Sequence, residues 1–352
     1  MTNSIITKFK SIREPVLVTG HTGFKGTWLT LLLDNLGISW VGISLQPELN
    51  SLYNLVNRRY SHEYFLDIRD FYQLEKIVTS IKPAHVIHLA AEPLVLNSYK
   101  NPRQTFETNI IGTVNLLDIL FKLPSTKKII VATTDKVYKQ SRYRRTFKES
   151  SSLGGKDPYS WSKVGTESAI GAWQNISKIT SGPVVTAVRA GNVIGGGDLS
   201  KNRLLPDLIK GLSSQSDITV RNPNSTRPWQ HVLDPLVGYL MLLASSTVFE
   251  SVNFSTNEKS MTVKKVAELS VTLWGGKAKL VYQSDSQGIE SKHLSLNSDL
   301  ARNKLGWQSL WSQKESISET INWWKEVKVN NVSPYDACNK NITLALNKLT
   351  VC

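Results

Sequence analysis

Short apolar runs alternate with amphipathic stretches from residue 15 to about residue 189. Runs 15–19, 39–45, 64–66, 85–89, 128–132 and 184–188 are rich in branched and aromatic apolar residues, which predicts strands buried on both faces. Between them, residues 71–81, 105–121 and 158–173 repeat apolar side chains at helical spacing, as do Trp28, Leu29, Leu32, Leu33 and Leu36 after the first run. Asp157-Pro158 adds a helix start, an N-cap acid followed by proline at the first position. The alternation predicts an α/β fold: a Rossmann-type doubly wound parallel sheet with helices on both faces.

Beyond residue 189 the rhythm changes. Residues 191–197 read as a loop, 204–212, 234–243 and 262–273 as helices, and 218–221 and 251–255 as strands. The expected organisation is a nucleotide-binding domain over 1–188, with 232–256 packing back onto it. Residues 189–231 and 257–330 form a smaller C-terminal substrate-binding lobe, and 331–352 a tail. That tail, rich in Asn and Lys, reads as loose, or as a final helix packed through Ile342, Leu344, Ala345 and Leu349.

A chain of 352 residues can bury a large core, and 40% hydrophobic with 20% charged residues is ordinary for a soluble globular protein. The most apolar stretch, 28–36, is broken by Thr30, Asp34 and Asn35, so no membrane span is expected. The N-terminus lacks a signal-peptide apolar block, which points to the cytoplasm. Cys338 and Cys352 have no metal-ligand neighbours, so neither a metal site nor a disulfide framework is expected. The formal charge of +14 fits either nucleic acid or an anionic substrate with an anionic cofactor. The densest basic stretch, Lys136, Lys139, Arg142, Arg144, Arg145 and Lys148 with Tyr138 and Tyr143 between, suits a stacking platform. It equally suits a solvated loop, or a site that neutralises a diphosphate.

Chemistry concentrates in three places. Gly20, Gly23 and Gly26 lie between the first strand and a helix, where converging backbone N–H groups and the helix end make a cradle for a diphosphate. At the end of the second strand Ser44 stands where an acid would take ribose hydroxyls, and no arginine is there for a 2′-phosphate; NAD is favoured over NADP. Asp67, after the third strand, is placed to accept from an adenine amino group or to cap a turn. Tyr159 and Lys163 share one helix face, so the ammonium and a bound nicotinamide would lower the phenol's pKa and make it a base for a hydroxyl proton. Thr133-Thr-Asp-Lys136 ends the fifth strand, at the sheet edge where ligands bind.

The order of glycine turn, His88-Leu-Ala-Ala91, Thr-Thr-Asp-Lys and Tyr-x-x-x-Lys resembles the extended short-chain dehydrogenase/reductases that modify nucleotide sugars, the NAD-dependent epimerase/dehydratase family. Longer strings narrow this: Gly20-His-Thr-Gly-Phe-Lys-Gly26, Phe106-Glu-Thr-Asn109, Leu153-Gly-Gly-Lys-Asp-Pro-Tyr-Ser160, Arg189-Ala-Gly-Asn-Val-Ile-Gly-Gly-Gly-Asp198 and Thr226-Arg-Pro-Trp-Gln-His-Val-Leu-Asp-Pro235. From about residue 13 to the tail the chain is similar to the CDP-glucose 4,6-dehydratases.

The resemblance implies a redox-neutral dehydration of CDP-glucose with tightly held NAD. Tyr159 would take the O4 proton, Thr134 would hydrogen-bond near O4, Asp135 would protonate the departing hydroxyl, and Lys136 would stand where related dehydratases place a glutamate as C5 base. Lys163 would hold the cofactor ribose. The cofactor set is Gly20, Thr22, Gly23, Phe24, Lys25, Gly26, Ser44, Asp67, Ile68, Leu89, Ala90, Ala91, Tyr159 and Lys163. Asn192, Arg203, Arg227 and His231 would contact the nucleotide sugar. Arg189 reads as a substrate contact or a structural ion pair, and His88 as a satisfied core histidine. A homodimer through two helices, one bearing Tyr159, is implied. The competing readings are a 4-epimerase or dehydrogenase, and a non-catalytic cofactor-sensing protein that holds RNA or a partner.

Overall fold

The computed structural model describes residues 5–58, 60, 62–140, 145–275, 278–283 and 295–351. Arg142, Tyr143, Arg144 and Cys352 lie outside the described residues. In chain order the strands are β1 (Val16–Thr19), β2 (Trp40–Ser44), β3 (Glu63–Phe65), β4 (His85–His88), β5 (Lys128–Ala132), β6 (Val184–Ala190), β7 (Asn192–Ile194), β8 (Ile218–Arg221), β9 (Thr226–Arg227), β10 (Trp229–His231), β11 (Ser251–Phe254), β12 (Met261–Thr262) and β13 (Leu280–Gln283). The α-helices are α1 (Ile5–Phe9), α2 (Phe24–Leu36), α3 (Leu52–Val56), α4 (Phe71–Ile81), α5 (Val95–Lys100), α6 (Pro102–Phe106), α7 (Gly112–Phe121), α8 (Pro158–Thr180), α9 (Leu204–Ser214), α10 (Leu233–Ala244), α11 (Val263–Trp274), α12 (Gln313–Lys328) and α13 (Pro334–Val351).

A seven-stranded parallel sheet in the order β11-β6-β5-β4-β1-β2-β3 organises the molecule. The order reverses between β1 and β4, which opens a crevice at their C-terminal ends. One face packs α2 and α10 around Trp28, Leu32, Val188 and Leu236; the other packs α4, α7 and α8 around Leu74, Leu116 and Ile170. The expected doubly wound sheet is therefore the one observed. Inside it, α2 is buried from Gly26 to Leu33, which is why its pattern is apolar nearly all round.

Two expectations are corrected. Residues 192–194, expected within a loop, form β7 and pair in parallel with β10. The segment 105–121, expected as one regular helix, holds a π-helical turn at Glu107–Ile111. Of the two readings of the tail, the final helix is the one observed: α13 buries Ala337, Cys338, Ile342, Ala345 and Leu349 in the core that includes α2, while Leu344 stays exposed. Burying a Leu or Ile side chain is worth about 1.5–3 kcal/mol, enough to order this helix despite its Asn and Lys content. Among the described residues no helix is long and apolar enough to cross a membrane.

Candidate active site

The crevice floor begins with the glycine turn after β1. Gly20 holds φ +75°, and a Cβ there would lie 2.6 Å from the Ala90 nitrogen, so the β1 and β4 loops meet backbone to backbone. A Cβ on Gly26 would lie 2.1 Å from the Gly20 carbonyl oxygen and 2.6 Å from the His21 Cα. Gly26→Ala must therefore force the turn apart, and we expect it to lower stability by about 1–3 kcal/mol in urea unfolding. α2 starts at Phe24 with Gly23 as N-cap, and no side chain caps its first N–H groups. These free donors, the helix end and the bare backbone fit a diphosphate.

Beside the cradle, Thr22 Oγ1 and Ser44 Oγ are 2.7 Å apart, both buried, which places the β2 hydroxyl against the turn. Leu89, Ala90 and Ala91 follow β4 and are half-buried along the same crevice. Asp67 is clasped by Arg69, whose Nη2 donates at 2.6 Å and whose backbone N–H donates at 2.9 Å; the turn role is the one it takes here. Ile68 is buried beneath Gly112.

The candidate catalytic side chains sit across the crevice. Asp157 caps α8 in a capping box with Ser160 and Pro158 follows, so Tyr159 and Lys163 leave the first two turns on one face. Ser98 Oγ accepts from the Tyr159 N–H at 3.0 Å, and the Thr134 hydroxyl is near enough to act on the phenol. Lys163 sends its ammonium 3.1 Å to the Ala132 carbonyl at the end of β5. Burial pushes the Tyr159 phenol up to about 12 and the Lys163 ammonium down to about 8, the latter helped by Lys25. In the protein by itself removal from water is the largest effect on the phenol, and the ammonium is turned to a carbonyl.

Asp135 opens the short 3₁₀ turn Asp135–Val137 and is 4% exposed. Its Oδ1 accepts from the Thr134 hydroxyl at 3.1 Å, whereas its Oδ2 is buried with no hydrogen-bond partner in the described structure. Burial raises its pKa to about 6 against the pull of Lys136, Arg227 and Lys25. Lys136 is half-buried beside it. Arg203, at the N-cap of α9, reaches Asp198 Oδ2 at 3.1 Å and acts electrostatically on both Lys25 and Tyr159. Arg227 is buried on β9, and Asn192 is half-buried on β7. Lys25, half-buried in the cradle, is itself lowered to about 8 by burial and by Arg203. Cations from four elements thus face one crevice, an arrangement that accommodates multiply charged anions. Among the described residues no group of three His, Cys, Asp or Glu could hold a metal.

Residues 17–333 match the family described as GDP-mannose 4,6 dehydratase. The chain belongs to that family. It is 37% identical over 324 residues to the CDP-glucose 4,6-dehydratase of Salmonella typhimurium, which covers 88% of this chain and 90% of the relative. It is 27% identical over 338 residues to the dTDP-glucose 4,6-dehydratase of Haemophilus influenzae, 88% of this chain and 97% of the relative. Among solved structures, UDP-glucose 4-epimerase from Thermotoga maritima with UDP-glucose superposes with a TM-score of 0.80 at 22% identity, covering 89% of this chain and 99% of that one. The dTDP-glucose 4,6-dehydratase of Streptomyces venezuelae with NAD bound gives 0.78 at 20% identity, covering 91% and 99%. These two share the fold.

Within this GDP-mannose 4,6 dehydratase family member, one residue departs from its expected place. His231 is 0% exposed, edge-on to Trp28 at 5.6 Å and tilted against Trp311 at 4.6 Å, so it belongs to the core and is not brought to the crevice. Asn109, assigned no role from sequence, is drawn inward by the π turn. It donates to Ser162 Oγ at 2.8 Å and accepts from the Glu92 N–H at 2.8 Å, tying the β4 loop to α8. Its π turn breaks helical periodicity by one residue, a signal that composition does not carry. His88 is the expected core histidine: Nδ1 lies 2.6 Å from Thr19 Oγ1 and Nε2 3.0 Å from Thr113 Oγ1. The Thr113 hydroxyl already donates to the Asn109 carbonyl, so Nε2 carries the ring proton. Arg189 is the expected ion pair, with Glu167.

Proposed function

We propose that the protein is a CDP-glucose 4,6-dehydratase, converting CDP-glucose to CDP-4-dehydro-6-deoxyglucose. The buried Oδ2 of Asp135, without a hydrogen-bond partner among the described residues, carries this reading, because a carboxyl there supplies a proton donor that epimerisation at C4 does not need. The 37% identity to a CDP-glucose enzyme supports the nucleotide.

The glycine cradle with Thr22, Ser44 and Lys163 would hold NAD, which when bound stores the hydride taken from C4 and returned to C6. Tyr159 accepts the O4 proton, with the Thr134 hydroxyl beside its phenol. The C4 ketone acidifies the C5 hydrogen, and the C6 hydroxyl leaves as water on taking a proton from Asp135. Lys136, the next residue, would accept the C5 proton as its neutral amine, the only form with a free lone pair. Asn192, Arg203 and Arg227, from the lobe over 189–231 and 257–330, bind the nucleotide diphosphate, for which arginine's fork is suited. Incubation with CDP-, dTDP- and GDP-glucose side by side tests the assignment. A 4-ketosugar absorbing in alkali should form fastest from the CDP sugar with no net NADH; steady NADH accumulation, or preference for another nucleotide, would reject it.

A cytoplasmic location, a role in deoxysugar supply for polysaccharide such as lipopolysaccharide, and a homodimer complete the proposal. Trp161 on α8 is 51% exposed, and Ile111 at 49% and Phe106 at 39% are exposed on the helical segments that pack against α8, which supports pairing through α8. Trp161→Glu is expected to yield monomers in sedimentation analysis where the parent chain sediments as a dimer.

A further inference from the structure

Beneath the crevice lies a buried polar network that the reaction as described does not use. Glu167, one helical turn beyond Lys163 on α8, is ion-paired with Arg189 at the end of β6, each side chain 5% exposed. Its Oε1 accepts from Arg189 Nε at 2.8 Å and from the Thr133 hydroxyl at 2.6 Å, and its Oε2 accepts from Arg189 Nη2 at 2.8 Å. Arg189 Nη1 donates onward to the Tyr138 phenol at 2.9 Å and to the Glu149 carbonyl at 3.1 Å. The Tyr138 hydroxyl donates to Asn253 Oδ1 on β11 at 2.7 Å. Thr133 and Tyr138 bracket the segment Thr134-Asp135-Lys136-Val137. Both ends of that segment are therefore fastened to one ion pair, whose carboxylate is carried by the helix that bears Tyr159 and Lys163.

We infer that Glu167 is a positioning residue for the reaction: through Thr133 and, by way of Arg189, Tyr138, it holds the Thr134–Asp135 turn in register with Tyr159 and Lys163. A fold held only by burial would not need this connection. Thr133 already has its N–H on the Val188 carbonyl, 2.8 Å away, as its place in the sheet requires. The added hydroxyl bond fixes the turn laterally against α8, and misplacing a reacting group by about 1 Å costs on the order of a hundredfold in rate.

The inference rests on the proposed dehydration for its kinetic arm only. Thr133→Val removes one hydroxyl and leaves the ion pair intact, and Glu167→Gln keeps the shape of the side chain but not its charge. In Thr133→Val we expect kcat to fall roughly tenfold or more with KM within about twofold and an unchanged Tm. Combined with Glu167→Gln the losses should be non-additive, as for groups acting through one contact. Hydrogen exchange on the full-length protein supplies the arm that needs no substrate. Amides of 133–138 should exchange about tenfold faster in Thr133→Val, while those of 129–131 keep the parent rate. Parent-like exchange at 133–138 in Thr133→Val would overturn the inference, as would a kcat loss that tracks the unfolded fraction. If the parent turns over none of the nucleotide sugars, the dehydratase reading falls and the exchange contrast alone decides this one.

Discussion

Tyr159→Phe is expected to lower kcat by about two to four decades, the usual cost of removing a general base. The phenol is 8% exposed and its backbone is fixed by Ser98, so the ring should keep its place when the hydroxyl is deleted. Thr134 retains Asp135 Oδ1 and the Lys136 N–H as partners, which leaves the turn intact. The loss should appear in product formation at saturating substrate with little change in Tm. Because burial holds the phenol at about 12 in the protein alone, proton acceptance needs positive charge brought close. Lys163 and the pyridinium of oxidised NAD supply that charge in the proposed reaction. A Phe variant within threefold of the parent would remove Tyr159 from the mechanism.

Asp135→Asn should be as severe for a different reason. Asparagine matches the carboxyl in shape but cannot give up a proton, so dehydration is expected to fall by about 10²–10⁴. The pH dependence carries a sign. The protonated carboxyl is the working form, and with its pKa raised to about 6 that form declines tenfold per unit as pH rises beyond this value. The parent's kcat/KM, which reports groups of the free enzyme, should therefore fall on the alkaline side with an apparent pKa near 6. The residual rate of the Asn variant should lack that limb, and a shared limb would assign it to another group. Measuring kcat/KM across pH for both proteins checks the point.

Much of this site was legible in the chain because its parts are local. The glycine turn, the Asp157-Pro158 helix start and the Tyr159/Lys163 spacing each lie within a few residues, and strand alternation orders them along one sheet edge. What escaped is long-range. Nothing near His231 announces that Trp28 from α2 and Trp311 will close over it and exclude it from the crevice. Glu167 is visible as a helix position, but its partners Thr133 and Arg189 come from two different strand ends. The burial of Tyr159 is long-range too, since its loss of water is set by elements far from it in the chain. Composition left the tail open between two readings: Lys340 and Asn347 lie on the outer face of α13, while Cys338, Ile342 and Ala345 fill the inner one together with a buried Asn341.

Turnover of CDP-glucose in deuterium oxide tests most directly whether Tyr159 and Asp135 work on one sugar in one crevice. The predicted product is CDP-4-dehydro-6-deoxyglucose with solvent deuterium at C5 and no net NADH. A C4 epimer that keeps its original hydrogen at C5, or NADH formed in step with substrate loss, would contradict it.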